Sequence, residues 1–196
     1  MTQQLSEYLA GTITQSLSDS ESRRRIDQLM GLLETLCGRE RIDETEILKS
    51  VVLLVTAECL GLDAASLLSE VPPEIPTEEV EKSRLLHLAH SHGHSDPSRR
   101  RALGILSDLF LLEQMGTTKL GRVFQAWNGD DTVELYQKVK ESTDHALTLA
   151  QDLQTSSARE LAFDRLRAMK EYCAKLEEDM KLVLDHRRGS TQRSQQ

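Results

Sequence analysis

Four histidines lie close together in the sequence, at His87, His90, His92 and His94. Spacings of three and four residues would bring His87, His90 and His94 to one side of a helix. Imidazole nitrogens bind borderline metals, so one interpretation of this cluster is a metal site. The other is a solvated helix end, since no cysteine lies nearby and Asp96 is the only close carboxylate. The second is favoured, and we expect no bound metal here.

An arginine run, Arg99-Arg-Arg101, follows the histidines directly. Guanidinium groups match the geometry of phosphate oxygens, so this run could hold an anion. Charge alone favours a solvated basic turn. The whole chain has 24 basic and 32 acidic residues, a net charge of -8. It lacks the general basic character that binds phosphodiester backbones, and nucleic acid is excluded as the main ligand.

Residue usage predicts the elements that must position these side chains. The chain contains 32 Leu against 15 Val and Ile together, with only 4 Pro and 10 Gly. Unbranched side chains favour helices, so we predict an all-α, multi-helix bundle of about seven or eight helices. The segments Ile47 to Leu60 and Ala102 to Met115 are apolar almost all round and should be the most buried. We expect one domain over residues 1–186 and a disordered polar tail over 187–196.

Capping residues and helix breakers predict where the helices begin and end. Asp43 is expected to cap the helix that ends at Gly61, and Thr77 to begin a helix after the Pro72–Pro76 linker. Gly93 and Pro97 predict a loop after the histidines. Asp131 with Glu134 matches a capping box, and a last charged helix is expected from Ala158 to His186.

Localisation follows from what the sequence lacks. The apolar stretch from Val51 to Val55 is too short to cross a bilayer, and the N-terminus has no signal-peptide pattern. Cys37, Cys59 and Cys173 are odd in number and stand among apolar residues, which is typical of reduced thiols. We therefore expect a cytoplasmic protein with no transmembrane segment and no structural disulfide.

The order of residues from Leu88 to Arg101 resembles the first aspartate-rich region of trans-polyprenyl diphosphate synthases. In that family a Leu-x-His sequence leads into Asp-Asp-x-x-Asp, and two arginines follow after four further residues. Here the sequence is Leu88-Ala-His-Ser-His-Gly-His-Ser-Asp-Pro-Ser-Arg-Arg-Arg101. Arg100 and Arg101 keep the arginine positions. The aspartate positions are occupied by Ser91, His92 and Ser95.

Flanking segments extend this resemblance over about residues 38–185. The segment from Val51 to Gly61 is similar to the family's apolar helix that ends in Ala-Glu-x-Leu-Gly. The segment from Gly104 to Leu112 is similar to its Ile-Leu-Ala-Gly-Asp-x-Leu-Leu helix, with Asp108 at the aspartate. The stretch from Val51 to Leu112 is the specific part. The substrate-binding lysine and the second aspartate-rich spacing of the family are absent.

The resemblance implies a truncated isoprenoid-synthase-like fold without catalysis of its own. Prenyl transfer requires carboxylates that hold Mg²⁺ against the leaving diphosphate, and serine and imidazole cannot replace them. We therefore expect a pseudoenzyme with no cofactor, the small subunit of a heteromeric polyprenyl diphosphate synthase in isoprenoid or quinone side-chain biosynthesis. Its catalytic partner would carry the Mg²⁺. Arg100 and Arg101 would form a degenerate diphosphate site, while the chain-length pocket would be lined by Leu85, Leu86 and His87.

A helical adaptor with no isoprenoid connection is the alternative interpretation. Amphipathic helices and Trp127 would serve any protein–protein interface. The metal site of this alternative would use His87, His90, His92 and His94. Fold analogy alone does not separate the two functions.

Overall fold

The computed structural model describes residues 4–17, 19–92, 99–127, 129 and 131–193, with the backbone alone over 183–193. Its described residues form nine α-helices, one 3-10 turn and no strand, which confirms the all-α prediction. The helices are α1 Leu5–Ser16, α2 Ser20–Glu40, α3 Thr45–Cys59, α4 Ala64–Ser69, α5 Thr77–His92, α6 Arg100–Glu113, α7 Thr117–Ala126, α8 Thr132–Leu149 and α9 Ser156–Arg193. No helix in this described part combines the length and apolar character needed to cross a bilayer.

The contacts divide the chain into two compact units, Met1–Leu109 and Phe110–Gln196. The single domain over residues 1–186 stays a prediction. In the first unit, α3 packs against α1, α2, α4 and α5. Its central position follows from its sequence, because apolar residues occur on every side of the helix. Buried residues of α3 include Leu48, Val51, Val52, Leu53, Leu54 and Ala57. In the second unit, α8 packs along α9, and α7 contacts both.

Helix α6 is the other strongly buried helix, as its sequence predicts. Its fully or almost fully buried residues are Ala102, Ile105, Leu106, Asp108, Leu109 and Leu112. The helix begins at Arg100 and ends at Glu113, close to the predicted bounds. Gly116 follows with φ +89°, a conformation that glycine adopts without a side-chain clash.

One predicted helix cap needs correction. Glu44, and not Asp43, is the N-cap of α3, because the chain enters the helix one residue later. The short helices α4 and α7 were not predicted: six and ten residues hold too few periodic apolar positions to stand out. Helix α9 is described to Arg193. The disordered polar tail over 187–196 stays a prediction.

Other predicted boundaries agree with the structure. Asp131 is the N-cap of α8, and its Oδ1 accepts a hydrogen bond from the Val133 amide at 2.9 Å. Helix α5 begins at Thr77, directly after the proline linker. Helix α3 ends before Gly61, which has φ +82°. The Leu62 amide then donates to the Ala57 carbonyl at 2.9 Å, and the Gly61 amide donates to the Glu58 backbone carbonyl at 3.0 Å. These two bonds close the helix end.

Candidate functional site

A histidine and a glutamate connect α5 to the end of α3. The distance from His87 Nε2 to Glu58 Oε2 is 3.1 Å. Because a carboxylate accepts hydrogen bonds, the imidazole donates from Nε2 in this pair. The His87 side chain is 7% exposed, whereas that of Glu58 is 45% exposed. The pair therefore joins the two helices at a point where buried packing meets solvent.

Beside this pair lies a cleft of about 410 Å³, formed by α4, α5 and the end of α3. Its apolar lining consists of Ala64, Ala65, Leu68, Val80 and Leu88. Its polar lining consists of Glu58, Asp63, Ser69, Glu81, Arg84 and His87. The lining thus combines five apolar residues with six polar ones, and its apolar part can contact an apolar ligand.

The polar side of the cleft is held in place by local bonds. Arg84 donates to Glu81 Oε2 from Nε at 3.2 Å and from Nη2 at 2.9 Å, and this pairing raises the pKa of Arg84. Asp63 caps α4 and accepts from the Ser66 amide at 2.9 Å. Hydrogen bonds from the Ser66 hydroxyl and amide lower the pKa of Asp63. Arg84 and Asp63 are therefore charged at neutral pH.

The three residues predicted for the chain pocket do not share one environment. Successive side chains on a helix are turned by roughly 100°, so neighbours face different ways. His87 lines the cleft, Leu86 is buried in the packing at 4% exposure, and Leu85 faces outward at 39%. Leu88 lines the cleft and was missed, as were Ala65 and Leu68 of α4. The spacing of four from Arg84 to Leu88 was the available signal, since it places both side chains on one face.

Of the three positions that the sequence resemblance assigns to former aspartates, two lie at the end of α5. Ser91 and His92 are both exposed there. Ser95 and His94 lie outside the described residues. Arg100 and Arg101 are exposed in the first turn of α6, and Arg101 Nη2 donates to the Glu40 carbonyl. One of the two predicted diphosphate-binding arginines therefore also links α6 to the end of α2.

The described histidines of the cluster differ in burial, because the turn of the helix points them in different directions. His87 is buried, His90 is half-buried and His92 is exposed. Burial, together with the charge of His87, lowers the pKa of His90. Across the described residues, no group of three or more His, Cys, Asp or Glu side chains is arranged to hold a metal ion.

A second cleft of the first unit, about 440 Å³ in volume, lies where α1, α2 and α3 meet. Four of its polar side chains bond to one another. Lys49 Nζ lies 2.8 Å from Glu34 Oε1 and 3.0 Å from Glu46 Oε1, and the Ser6 hydroxyl donates to Glu46 Oε2 at 2.7 Å. These bonds connect α1, α2 and α3, so the cleft lies at a junction between three helices.

Comparison with known proteins finds a solved structure with a similar fold. No protein-family model matches the chain, and no curated protein sequence matches it. Among solved structures, the crystal structure of Bacillus subtilis YpgQ is similar, with a TM-score of 0.67 and 19% sequence identity. The match covers 89% of this chain and 93% of that chain. At this identity the likeness shows a shared helical fold and nothing about activity.

Proposed function

We propose that this chain is the non-catalytic subunit of a heteromeric trans-polyprenyl diphosphate synthase. The observation that carries the proposal is the contact between Glu58 and His87 at 3.1 Å. Glu58 belongs to the segment that resembles the family's Ala-Glu-x-Leu-Gly helix end. His87 directly precedes the Leu88–Arg101 segment that resembles the first aspartate-rich region. Two segments that resemble one family and are separated in sequence are thus brought together in space.

The side chains at the former metal-binding positions support a non-catalytic role. Ser91, His92 and Ser95 stand where the family has aspartates. Neutral hydroxyl and imidazole groups do not supply the anionic oxygens that Mg²⁺ requires. Ionisation of an allylic diphosphate therefore falls to a catalytic partner. In this chain, Arg100 and Arg101 remain as exposed cations that could contact a diphosphate without metal.

The cleft beside His87 supports a role in product length. Ala64, Ala65, Leu68, Val80 and Leu88 give it an apolar wall. A growing polyprenyl chain is a flexible hydrocarbon, and its burial against such a wall is favourable by the hydrophobic effect. In this proposal, the depth of the cleft limits how many isoprene units the complex adds.

The proposal is tested by purifying the tagged chain from its native host and identifying the proteins that accompany it. We expect a catalytic trans-polyprenyl diphosphate synthase among them. The purified chain, the synthase and the pair are then given isopentenyl diphosphate, an allylic diphosphate and Mg²⁺. The chain alone should form no product, and the pair should form a product of different length from the synthase alone. Elongation by the isolated chain, or no effect on the synthase, would contradict the proposal.

A helical adaptor is the second candidate function, and exposed apolar side chains favour it. Phe163 is 67% exposed and Leu182 is 69% exposed, both on α9. Large apolar side chains at the surface are candidates for contact with another protein. An adaptor would bring down partners without prenyl-transfer activity in the same purification, so the experiment separates the two functions.

A further inference from the structure

One face of α5 carries four exposed side chains in a single row, and two of them, Glu81 and Leu88, also line the cleft. Glu81, Leu85, Leu88 and His92 are separated by four, three and four positions, which places them on one side of the helix. We call this row the α5 stripe. Leu85 and Leu88 at its centre are 39% and 37% exposed, whereas most leucines of the first unit are buried.

The α5 stripe is complementary to itself in the antiparallel direction. Its order is carboxylate, leucine, leucine, imidazole. If a second copy lies antiparallel across the stripe, the two-fold axis passes between Leu85 and Leu88. Leu85 then contacts Leu88 of the second copy, and Leu88 contacts Leu85 of the second copy. Glu81 then faces His92 of the second copy, and the reverse pair forms at the other end. Such a contact between identical surfaces is the common basis of homodimers.

The ends of the stripe have the chemistry that this pairing needs. An imidazole carries an N–H donor in either protonation state, and a carboxylate accepts it. Both bonds from Arg84 end on Glu81 Oε2, so they leave Oε1 of that carboxylate for a donor from outside the helix. The pairing also removes the two leucines from water at the centre of the contact.

We propose that this chain forms a homodimer through the α5 stripe, with the two α5 helices antiparallel. The inference uses only the self-complementary order of the stripe and does not rest on the proposed function. Because Glu81 and Leu88 also line the cleft, the second copy would cover part of it. Helix α5 has 16 residues, so the contact is small. We therefore expect a weak dimer, with a dissociation constant on the order of 100 µM.

Sedimentation equilibrium of the full chain over a range of concentrations measures this association. The wild-type chain should pass from monomer to dimer as the concentration rises. Leu85→Lys should remain monomeric, because two buried contacts of the symmetric dimer are lost. Phe163→Lys, which replaces an exposed apolar residue of α9, is the matched control and should dimerise as the wild type does. A wild-type chain that stays monomeric, or equal loss in both variants, would overturn the proposal.

Exchanging the side chains at positions 81 and 92 tests which residues of the two copies face one another. Glu81→Lys and His92→Glu should each raise the dissociation constant about fivefold, because each places like or unpaired groups opposite one another. The double variant should restore wild-type affinity, since the introduced lysine would then face the introduced glutamate of the second copy. Asp27→Lys makes the same charge change as Glu81→Lys at an exposed site of α2 and should have no effect. Additive weakening in the double variant would refute the antiparallel pairing.

Cysteine cross-linking gives an independent measurement in a Cys59→Ser, Cys173→Ser background, in which only the buried Cys37 remains. Leu85→Cys and Leu88→Cys are oxidised separately and as a mixture. The two-fold axis sets position 85 opposite position 88, so the mixture should cross-link more than either variant alone. Equal cross-linking in all three samples would contradict the proposed axis.

Discussion

The two units differ in how a polar side chain is used where helices meet. In the first unit, His87 bonds to the half-exposed carboxylate of Glu58, and a cleft lies beside the pair. In the second unit, Arg165 Nη1 donates to the Leu112 carbonyl at 3.0 Å and to the Met115 carbonyl at 3.4 Å. Backbone carbonyls at a helix end are structural partners, whereas a carboxylate at a cleft can also meet a ligand. The difference identifies the first unit as the candidate site and assigns Arg165 to stability.

Gly61 and Gly116, which both have positive φ, also differ between the two units in how closely they are packed. A Cβ built on Gly116 would lie 3.3 Å from Cβ and from Cγ of Arg165, and the Gly116 amide donates to Met169 Sδ at 3.0 Å. A Cβ built on Gly61 would have no neighbour within 4 Å. The junction in the second unit is thus closed by packing, while the end of α3 in the first unit has space around it.

The largest effect should come from substitution of these glycines. Gly116→Ala adds a tight contact with Arg165 to the cost of a positive φ of +89°, so we expect it to lower the free energy of unfolding by about 3 kcal/mol. Gly61→Ala meets only the backbone cost and should lower it by about 1 kcal/mol. Urea denaturation measures both. Equal losses would remove the distinction between a closed and an open junction.

Arg165→Met should have the next largest effect. Burial lowers the pKa of this guanidinium, which donates to the Met115 carbonyl and to the Leu112 carbonyl, and the Leu112 carbonyl also accepts from the Met115 amide. We expect a loss of about 2 kcal/mol in the free energy of unfolding. Arg167→Met is the matched control: Arg167 is 63% exposed, and its ion pairs lie within α9. It should change stability by less than about 0.5 kcal/mol. A small effect at Arg165 would show that its bonds are dispensable.

His87→Ala tests the corresponding group of the first unit. The variant removes a buried ring and its bond to Glu58, and we expect a loss of about 1.5 kcal/mol. The loss is smaller than for Arg165→Met because Glu58 is half-exposed and can bond to water instead. Thermal unfolding of His87→Ala and of His92→Ala, which removes an exposed ring of the same helix, gives the comparison. Equal stability of the two variants would place His87 outside the packing.

The smallest effect should be a pH dependence from His90. Its pKa in the folded chain is lowered below the usual 6.5 by burial and by the charge of His87, which in turn faces Glu58. Below pH 6.5 the unfolded chain therefore binds more protons than the folded chain, and stability falls as the pH is lowered through that value. His90→Gln should flatten this slope between about pH 7 and 5. His145→Gln, at an exposed site of α8, should leave it unchanged, and an identical slope in all three proteins would contradict the assignment.

The features that could be predicted are those set by composition and by local helix-capping signals. The leucine-rich, proline-poor composition predicted the all-α fold, and the cap at Asp131 follows from a local hydrogen bond that a short motif encodes. The cleft could not be predicted, because α4 is too short to show periodicity and its position depends on packing against α5. The same limit explains the choice of Leu86 as a pocket residue. Its burial depends on which side of α5 faces α3, and three adjacent leucine and histidine residues do not reveal that side.

The burial of Leu86 changes how the chain-length proposal is tested. Leu86→Phe would add volume to a tightly packed position and so disturb the fold itself. Ala65 lines the cleft from α4 and is exposed, so Ala65→Trp fills the cleft without entering the core. Glu70→Trp adds the same ring at an exposed site just after α4 and outside the cleft lining.

The length of the polyprenyl diphosphate made by the synthase reconstituted with each of these variants tests whether the cleft limits product length. Products are separated by chromatography after elongation with isopentenyl diphosphate and Mg²⁺. We expect a shorter product with Ala65→Trp and the wild-type length with Glu70→Trp, while both variants still bind the synthase. Wild-type length with Ala65→Trp in an intact complex would contradict a role for this cleft in product length.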